Sequence, residues 1–389
     1  MSQEKEAAFP VGYHNFTPSP HLNFELNRWF TMGYARYEDM KAIGARIKDF
    51  DQWRKELRAL AEQALSENQL LYAAFYYRAV EFFTFSTDPE KEKLYDLFIQ
   101  YFNQYYGTDK IERHQIPYDR TYLPCIRINH EGAGKGTVVI HGGFDSFIEE
   151  FYPVMKAFVR KTGYEVVLFD GPGQGGALHK CGLKLINEWE KPVGAVLDYF
   201  NLENVTLIGV SLGGYLAVRA AAFEPRIARV VCFDAYYDFK GQLLGRAKPV
   251  QKLVINFLLK ANLAGRYNRI LEKARQRNLQ TAWAFDHMNY VTGKATPFES
   301  TKYMLSFSAK KISSRVTQDV LVLAGKQDHL VPIKMFWEQK KALSNARSVT
   351  GRIFTEAEHA SAHCQVGNIQ LVLDYIAEWI NTRMLDIPA

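Results

Sequence analysis

Residues 205–216 read Val-Thr-Leu-Ile-Gly-Val-Ser-Leu-Gly-Gly-Tyr-Leu, and the rest of the chain is arranged around them. An apolar run typical of a buried strand ends at Gly209, and a helical pattern begins directly after Ser211. Between them lies the G-x-S-x-G spacing of a nucleophile elbow, in which glycines flank a serine on a sharp, strained turn. The same pentapeptide also occurs in strand–turn–helix junctions whose serine is incidental. A reactive Ser211 therefore requires an acid, a histidine and an oxyanion site elsewhere in the chain.

The composition is typical of a globular protein and excludes several classes of function. The chain has 389 residues, of which 47% are hydrophobic and 23% charged, enough for two or three domains. The net charge of +6 is small, and lysines and arginines are scattered among acidic residues, which argues against nucleic-acid binding. No apolar run approaches the roughly 18 residues of a membrane span, and the N-terminus lacks a signal-peptide pattern. We expect a soluble, cytoplasmic protein without a membrane partner.

The cysteines and histidines do not predict a metal site. None of the cysteines forms a CxxC pair, and Cys232 lies in an apolar strand-like run, so we expect neither disulfides nor zinc. His359 and His363 are four residues apart but lack further ligands nearby and a helical pattern. We predict no metal and no organic cofactor. The four cysteines are Cys125, Cys181, Cys232 and Cys364.

The first 110 residues have helical periodicity and many aromatic side chains. One apolar stripe has the spacing of a helix face, and Asp51 is predicted to be the N-cap of that helix. The aromatic residues of this region either form its core or line a pocket. The region is predicted to be an N-terminal helical cap domain, residues 1–110. The stripe consists of Trp53, Leu57, Leu60, Ala61 and Ala64.

From residue 111 onward, strand patterns alternate with helix patterns. This alternation predicts an α/β fold with a mostly parallel sheet covered by helices on both faces. It is interrupted over 239–314, a helical, aromatic and basic stretch without a convincing strand, where such folds place a lid. We therefore divide the remainder into a first core part (111–238), a helical lid insertion (239–314) and a second core part (315–389).

Asp328 is the candidate acid. It lies just after a predicted strand, at the carboxyl edge where active sites of parallel sheets gather, although an aspartate here could also cap the following helix. Asp319 precedes the same strand and lies at the wrong edge. Asp234 and Asp238 end the strand after the elbow, and either face the pocket or serve as turn and cap residues.

The candidate histidines follow the last predicted strand. A serine nucleophile needs a histidine base that a carboxylate orients, and here the serine, acid and histidine follow one another in the order of known elbow enzymes. Both His359 and His363 precede the terminal helix. We favour His363 because it lies closer to the start of that helix, which leaves a short and stiff connection.

The oxyanion site requires two backbone N–H groups directed at the developing charge. One is expected from Leu212, which follows the serine at the start of a helix. The other is expected from the turn His-Gly-Gly-Phe at 141–144, with Gly143 preferred and Phe144 as the alternative. His141 itself is predicted to be a structural turn residue.

The glycine-rich stretch 170–176 has the sequence Asp-Gly-Pro-Gly-Gln-Gly-Gly. Its spacing differs from G-x-G-x-x-G, Pro172 removes a backbone donor, and no acidic residue follows at a suitable strand end, so a dinucleotide site is not supported. We predict a tight strand-to-loop turn beside the active site.

Five motifs together resemble the α/β-hydrolase superfamily. They are the elbow, His-Gly-Gly-Phe-Asp-Ser (141–146), Phe-Asp-Gly-Pro-Gly-Gln-Gly (169–175), Gly-Lys-Gln-Asp-His-Leu-Val-Pro (325–332) and His-Cys-Gln-Val-Gly-Asn (363–368). The chain is most similar to the branch with an N-terminal helical cap that includes 2,6-dihydroxypseudooxynicotine hydrolase and the fungal yellowish-green polyketide-shortening hydrolases. The resemblance implies His363 as the base, a small-molecule or short acyl-peptide substrate, a homodimer, and cleavage of carbon–carbon, ester or peptide bonds.

These observations predict a serine hydrolase with Ser211, Asp328 and His363 as its catalytic triad and with Leu212 and Gly143 as its oxyanion donors. The expected substrate is a small to medium acyl or ketone compound. The alternative is a non-catalytic ligand-binding or regulatory protein on the same fold.

Overall fold

The computed structural model describes residues 9–385 apart from 133 and 246, with the backbone alone at 384 and 385. The outermost residues of the predicted regions 1–110 and 315–389 thus lie outside the described part. The N-terminal helical region contains five helices. They are α1 (Pro20–Thr31), α2 (Tyr37–Gly44), α3 (Phe50–Ser66), α4 (Leu70–Phe82) and α5 (Glu90–Tyr105).

Helix α3 buries the apolar stripe that its periodicity predicts: all five stripe residues, from Trp53 to Ala64, are buried. The predicted N-cap is wrong by two residues. Asp49, in extended conformation, accepts a hydrogen bond from the Gln52 N–H at 2.8 Å, so Asp49 is the cap. Asp51 lies in the first turn, where its exposed carboxylate pairs with Arg54.

Eight strands form one sheet in the order β1-β2-β4-β3-β5-β6-β7-β8. Strands β1, β2 and β4 pair antiparallel, and every other neighbouring pair is parallel. The carboxyl ends of the parallel strands therefore meet at one edge. The strands are β1 (Glu112–Tyr118), β2 (Thr121–Ile128), β3 (Thr137–His141), β4 (Glu165–Phe169), β5 (Val205–Val210), β6 (Ile227–Phe233), β7 (Asp319–Gly325) and β8 (Ser348–Phe354).

Helices cover both faces of the sheet because successive side chains of a strand point to opposite faces. In β3, Val138 and Ile140 join the core that includes the N-terminal helices, whereas Val139 joins the core on the opposite face of the sheet. The helices that follow these strands include α6 (Ile148–Thr162), α7 (Gly175–His179), α8 (Glu190–Phe200), α9 (Gly213–Ala221), α15 (Lys334–Ala342) and α16 (Ile369–Leu385).

The segment 239–314 separates β6 from β7 and is helical. Its helix α13 (Leu279–Thr292) connects the two cores, because Met288 belongs to the core on the Val139 face of the sheet, whereas Trp283 packs against the core that includes the N-terminal helices. The Trp283 indole N–H donates to the Phe82 carbonyl at 2.8 Å, and Asp286 accepts hydrogen bonds from Ser86. The segment contains α10 (Phe239–Gly245), α11 (Pro249–Lys260), α12 (Ala264–Arg275), α13 (Leu279–Thr292) and α14 (Pro297–Met304).

Within the described residues, no helix combines the length and the apolar character needed to cross a bilayer.

Candidate active site

The elbow joins β5 to α9 and holds Ser211 in a strained conformation. Its φ of 61° lies in the left-handed region that serine rarely adopts. The close approach of strand and helix requires Gly209, because a Cβ there would lie 1.9 Å from the Gly213 carbonyl oxygen. The turn thus places the hydroxyl of Ser211 at the carboxyl edge of the sheet, at the start of α9.

Three side chains from separate loops meet at this point. The Oγ atom of Ser211 lies 2.8 Å from Nε2 of His363, and Nδ1 of His363 lies 2.7 Å from Oδ2 of Asp328. Asp328 follows β7, and His363 follows β8. This is the geometry in which a carboxylate orients an imidazole that accepts the proton of a serine hydroxyl.

Asp328 also fixes the turn after β7, but it does not cap the following helix, whose N-cap is Ile333. Its Oδ1 accepts hydrogen bonds from the N–H groups of Leu330 and Val331, at 2.6 and 2.8 Å. One oxygen thus fixes the loop after β7, and the other contacts His363. Because the residue is only 7% exposed, the orientation of its carboxylate is set by these hydrogen bonds rather than by solvent.

A second carboxylate contacts the same histidine. Oδ2 of Asp234, at the end of β6, lies 3.0 Å from Nδ1 of His363 and accepts the Cys364 N–H at 2.7 Å. Its Oδ1 accepts from the Gln365 side chain at 2.8 Å. The sequence is compatible with either a pocket-facing role or a turn role for Asp234. The sequence feature that could have indicated its role is its position directly after β6, the strand beside the elbow strand. In the structure its carboxylate contacts the imidazole of His363.

The turn at 141–144 lies against the elbow. A Cβ on Gly143 would come within 2.6 Å of the Val210 carbonyl oxygen and 2.8 Å of the Leu212 nitrogen, so glycine is required there. The Gly143 N–H donates a long, 3.4 Å hydrogen bond to Ser146 Oγ. The side chain of Gln174, in the predicted turn after β4, donates to the carbonyls of residues 142 and 143 at 2.7 and 3.0 Å. Gln174 therefore braces this turn, a role that the sequence did not reveal.

A cavity of about 470 Å³ opens beside Ser211. Its walls are mainly apolar and come from α1, from the elbow and from the 239–314 segment. Leu212 and Phe144 also line it, so both the turn at 141–144 and the start of α9 border the space next to the serine hydroxyl. A cavity of this size fits a small organic molecule.

A sequence model of the family described as "alpha/beta hydrolase fold" matches residues 137–362, more than half of the chain. The protein belongs to the α/β-hydrolase family. The fold predicted from the sequence is thereby confirmed, and the enzyme is a hydrolase.

The relatives of this α/β-hydrolase include fungal enzymes. Hydrolase LUC6 of a Fusarium species is 33% identical over 76% of this chain and 80% of that protein. The 20-hydroxy-prefusarin hydrolase FUS2 of Gibberella moniliformis is 32% identical over 76% of this chain and 80% of that protein.

Two solved structures share the fold, including the N-terminal helical region. The 2,6-dihydroxy-pseudo-oxynicotine hydrolase has a TM-score of 0.63 over 92% of this chain and 93% of that one, at 22% identity. AbyA5 has a TM-score of 0.67 over 90% of both chains, at 16% identity.

The remaining candidates in this α/β-hydrolase occupy other places. His359 has a φ of 55° and lies outside the walls of the cavity. Asp238 accepts the Gly241 N–H at 2.9 Å, and Asp319, at the opposite strand end, pairs with Arg347. The buried His141 contacts the carbonyl of its neighbour through Nδ1, and burial lowers its pKa to about 4, which fits the predicted turn role.

The electrostatics of this α/β-hydrolase site centre on His363. Burial alone would lower its pKa, but Asp328, Cys364 and Asp234 raise it well above the usual value. Burial raises the pKa of Asp328 against the opposing effect of His363. Burial would also raise the pKa of Asp234, but its hydrogen bonds from His363, Cys364 and Gln365 lower it.

In the described part of this α/β-hydrolase, Asp234, His363 and Cys364 bring potential metal ligands within 4.8 Å of one another. These atoms already have partners, because the carboxylate of Asp234 contacts both the imidazole and the Cys364 N–H. Burial also raises the pKa of the Cys364 thiol to about 11, which disfavours the thiolate that a metal would bind. The arrangement fits a hydrogen-bonded acid–histidine pair better than a metal site.

Proposed function

We propose that this α/β-hydrolase is a serine hydrolase in which Ser211 attacks a substrate carbonyl. His363 accepts the hydroxyl proton, and Asp328 orients the imidazole and stabilises its charged form. The observation that carries the proposal is the pair of hydrogen bonds from Ser211 through His363 to Asp328, at 2.8 and 2.7 Å.

The reaction then has two stages. Attack forms a tetrahedral oxyanion, which the N–H groups of Leu212 and of Gly143 stabilise, with Phe144 as the alternative to Gly143. The protonated His363 gives its proton to the leaving group, which departs as an alcohol, an amine or a carbon acid, and the acyl group stays on Ser211. A water molecule, deprotonated by His363, hydrolyses that ester and restores the enzyme.

The proposed substrate is a small to medium acyl or ketone compound. Its support is the mainly apolar cavity of about 470 Å³ and the similarity to a hydrolase named for 20-hydroxy-prefusarin. The 239–314 segment and the N-terminal helices would act as the lid and cap that exclude water and select the substrate. Ester, acyl-peptide and carbon–carbon bond hydrolysis use the same residues.

A substrate panel tests the proposal. Acyl esters, aminoacyl amides and β-diketones are incubated with the wild type and with Ser211→Ala. We expect turnover of at least one class, and its loss by a factor of about 10⁴ or more in the variant. Equal turnover by both proteins would overturn the proposal. Tight binding of these compounds without any turnover would favour the alternative of a ligand-binding protein.

A further inference from the structure

One face of α1 forms a wall of the cavity beside the proposed catalytic residues. Its residues are spaced at i, i+3, i+4, i+7 and i+11, which places them on one side of the helix. The Phe24 ring lies 6.2 Å from the His363 ring and 4.4 Å from the His329 ring, measured between centroids. The face consists of His21, Phe24, Glu25 and Arg28, and it is continued by Met32, the C-cap of α1.

Glu25 on this face has an unsatisfied carboxyl oxygen. The residue is 3% exposed, and its Oε2 has no hydrogen-bond partner within the described structure. Nη1 of Arg28 lies 3.6 Å from Oε2, beyond hydrogen-bond distance. A buried oxygen without a partner costs free energy unless a ligand group satisfies it.

The surrounding ion pairs are balanced without a charge on Glu25. Arg28 donates to Glu150 at 2.7 Å and lies 3.4 Å from Asp145, while Arg78 donates to the other Glu150 oxygen at 2.8 Å. A charged Glu25 would add a fourth anion to three cations. The cations are Arg28, Arg78 and Lys91, and their carboxylate partners are Glu81, Asp145 and Glu150.

Burial raises the pKa of Glu25 to about 8, so the carboxyl group is neutral at pH 7 and carries a proton that it can donate.

His21 lies one turn before Glu25 and also has buried polar atoms without a hydrogen-bond partner in the described structure. These atoms are its two ring nitrogens, and burial lowers its pKa to about 4. A neutral imidazole offers one donor and one acceptor. Two uncharged hydrogen-bonding groups therefore line a mainly apolar cavity.

We propose that Glu25, with His21 beside it, forms a subsite for a second oxygen atom of the substrate, apart from the carbonyl that Ser211 attacks. The fitting groups are neutral keto, enol or hydroxyl oxygens on a mainly apolar molecule. A ligand carboxylate would need a free cation, whereas the three nearby cations are already paired. This proposal rests on the proposed function, because the subsite is defined relative to the carbonyl that Ser211 attacks.

The test compares substrates that differ by one oxygen. The probes are p-nitrophenyl esters of straight-chain acids with a keto oxygen at carbon 4, 6 or 8, each beside its unsubstituted parent ester. The readout is the ratio of kcat/KM for the oxo ester to that for the parent, which a general loss of activity leaves unchanged. We expect a ratio of about five to ten for at least one oxo ester in the wild type.

The variants separate the role of Glu25 from a structural effect. Glu25→Gln keeps an uncharged donor and acceptor and should keep the preference, whereas Glu25→Leu should reduce the ratio to about one. Glu62→Leu, at an exposed position of α3, is the matched control and should keep the wild-type ratio. A ratio near one in the wild type, or an unchanged ratio in Glu25→Leu, would overturn the subsite.

A binding measurement keeps this test independent of the proposed chemistry. The Kd values of the same esters for Ser211→Ala, followed by quenching of tryptophan fluorescence, should give the same preference and the same response to Glu25→Leu. A preference in binding without any Ser211-dependent turnover would contradict the proposed function and support the subsite. Ser211-dependent turnover without any preference for the oxo esters would support the proposed function and contradict the subsite.

Discussion

Asp234 lies 3.0 Å from Nδ1 of His363, the nitrogen that also contacts Asp328 at 2.7 Å. Two carboxylates from the ends of neighbouring strands thus share one imidazole N–H. Since either oxygen can hold the ring in the tautomer that leaves Nε2 free to accept a proton, the histidine has two supports instead of one.

Removing either acid should therefore cost less than removing both. We expect Asp328→Asn and Asp234→Asn each to lower kcat by about 10- to 100-fold, and the double variant by about 10⁴-fold, the loss typical of a triad without its acid. Steady-state kinetics check this, with Asp51→Asn, a largely exposed carboxylate, as the control. A 10⁴-fold loss in Asp328→Asn alone would mean that Asp234 gives no support.

The pH profile should reflect the raised pKa of His363. Only the neutral imidazole accepts the Ser211 proton, so kcat/KM rises as the pH rises through that pKa, and its acidic limb should lie above about 6.5. Asp234→Asn removes a neighbour that raises this pKa and should move the limb downward by about one pH unit. A limb that stays in place in this variant would contradict the electrostatic account.

Substitution of Gly143 should damage the proposed oxyanion site. A Cβ there would lie 2.6 Å from the Val210 carbonyl oxygen and would separate the turn from the elbow. We expect Gly143→Ala to lower kcat by about 10²- to 10³-fold, as when an oxyanion donor is lost. Gly265→Ala is the matched control, because a Cβ at that helical position meets nothing within 4 Å. Equal activity of the two variants would exclude this role for the turn.

Glu25 should make the stability of the protein depend on pH. Burial is the main cause of its raised pKa of about 8; Asp145 and Glu150 add to the shift, whereas Arg28 and Arg78 oppose it. Because the folded state binds this proton more tightly than the unfolded state, the stabilisation is complete below about pH 4.5 and is lost as the pH rises through about 8.

The comparison is with Glu25→Gln, whose side chain has no proton to lose. Between pH 5 and 9 the wild type should lose on the order of 2–4 kcal/mol of unfolding free energy relative to the variant. Urea denaturation at pH 5, 7 and 9 measures the difference. A difference that stays constant with pH would mean that Glu25 is ionised in the folded protein.

The sequence was sufficient for the fold and for the meeting of Ser211, Asp328 and His363. Each of these residues lies in the turn or loop that follows a strand. The carboxyl ends of parallel strands converge at one edge, so the order of the three residues in the chain implies their proximity. The apolar stripe on α3 is also predictable from the sequence, because an α-helix repeats every 3.6 residues and so brings regularly spaced side chains to one face.

Other features depend on contacts that local patterns do not encode. An aspartate after a strand looks alike whether it caps a turn, as Asp238 does, or contacts a histidine, as Asp234 does, and the difference arises from the turn at 363–365. The Arg28–Glu150 ion pair joins residues 122 positions apart. The sequence does not distinguish the N-cap of α3, because Asp49 and Asp51 both precede the apolar stripe.

The proposal that Ser211 is the nucleophile is tested most directly by labelling with a fluorophosphonate, followed by intact-mass and peptide analysis. We predict one adduct per chain, located on Ser211, absent from Ser211→Ala and retained in Ser146→Ala, the variant of another serine that lines the cavity. An unlabelled wild-type protein, or an adduct that persists in Ser211→Ala, would contradict the account.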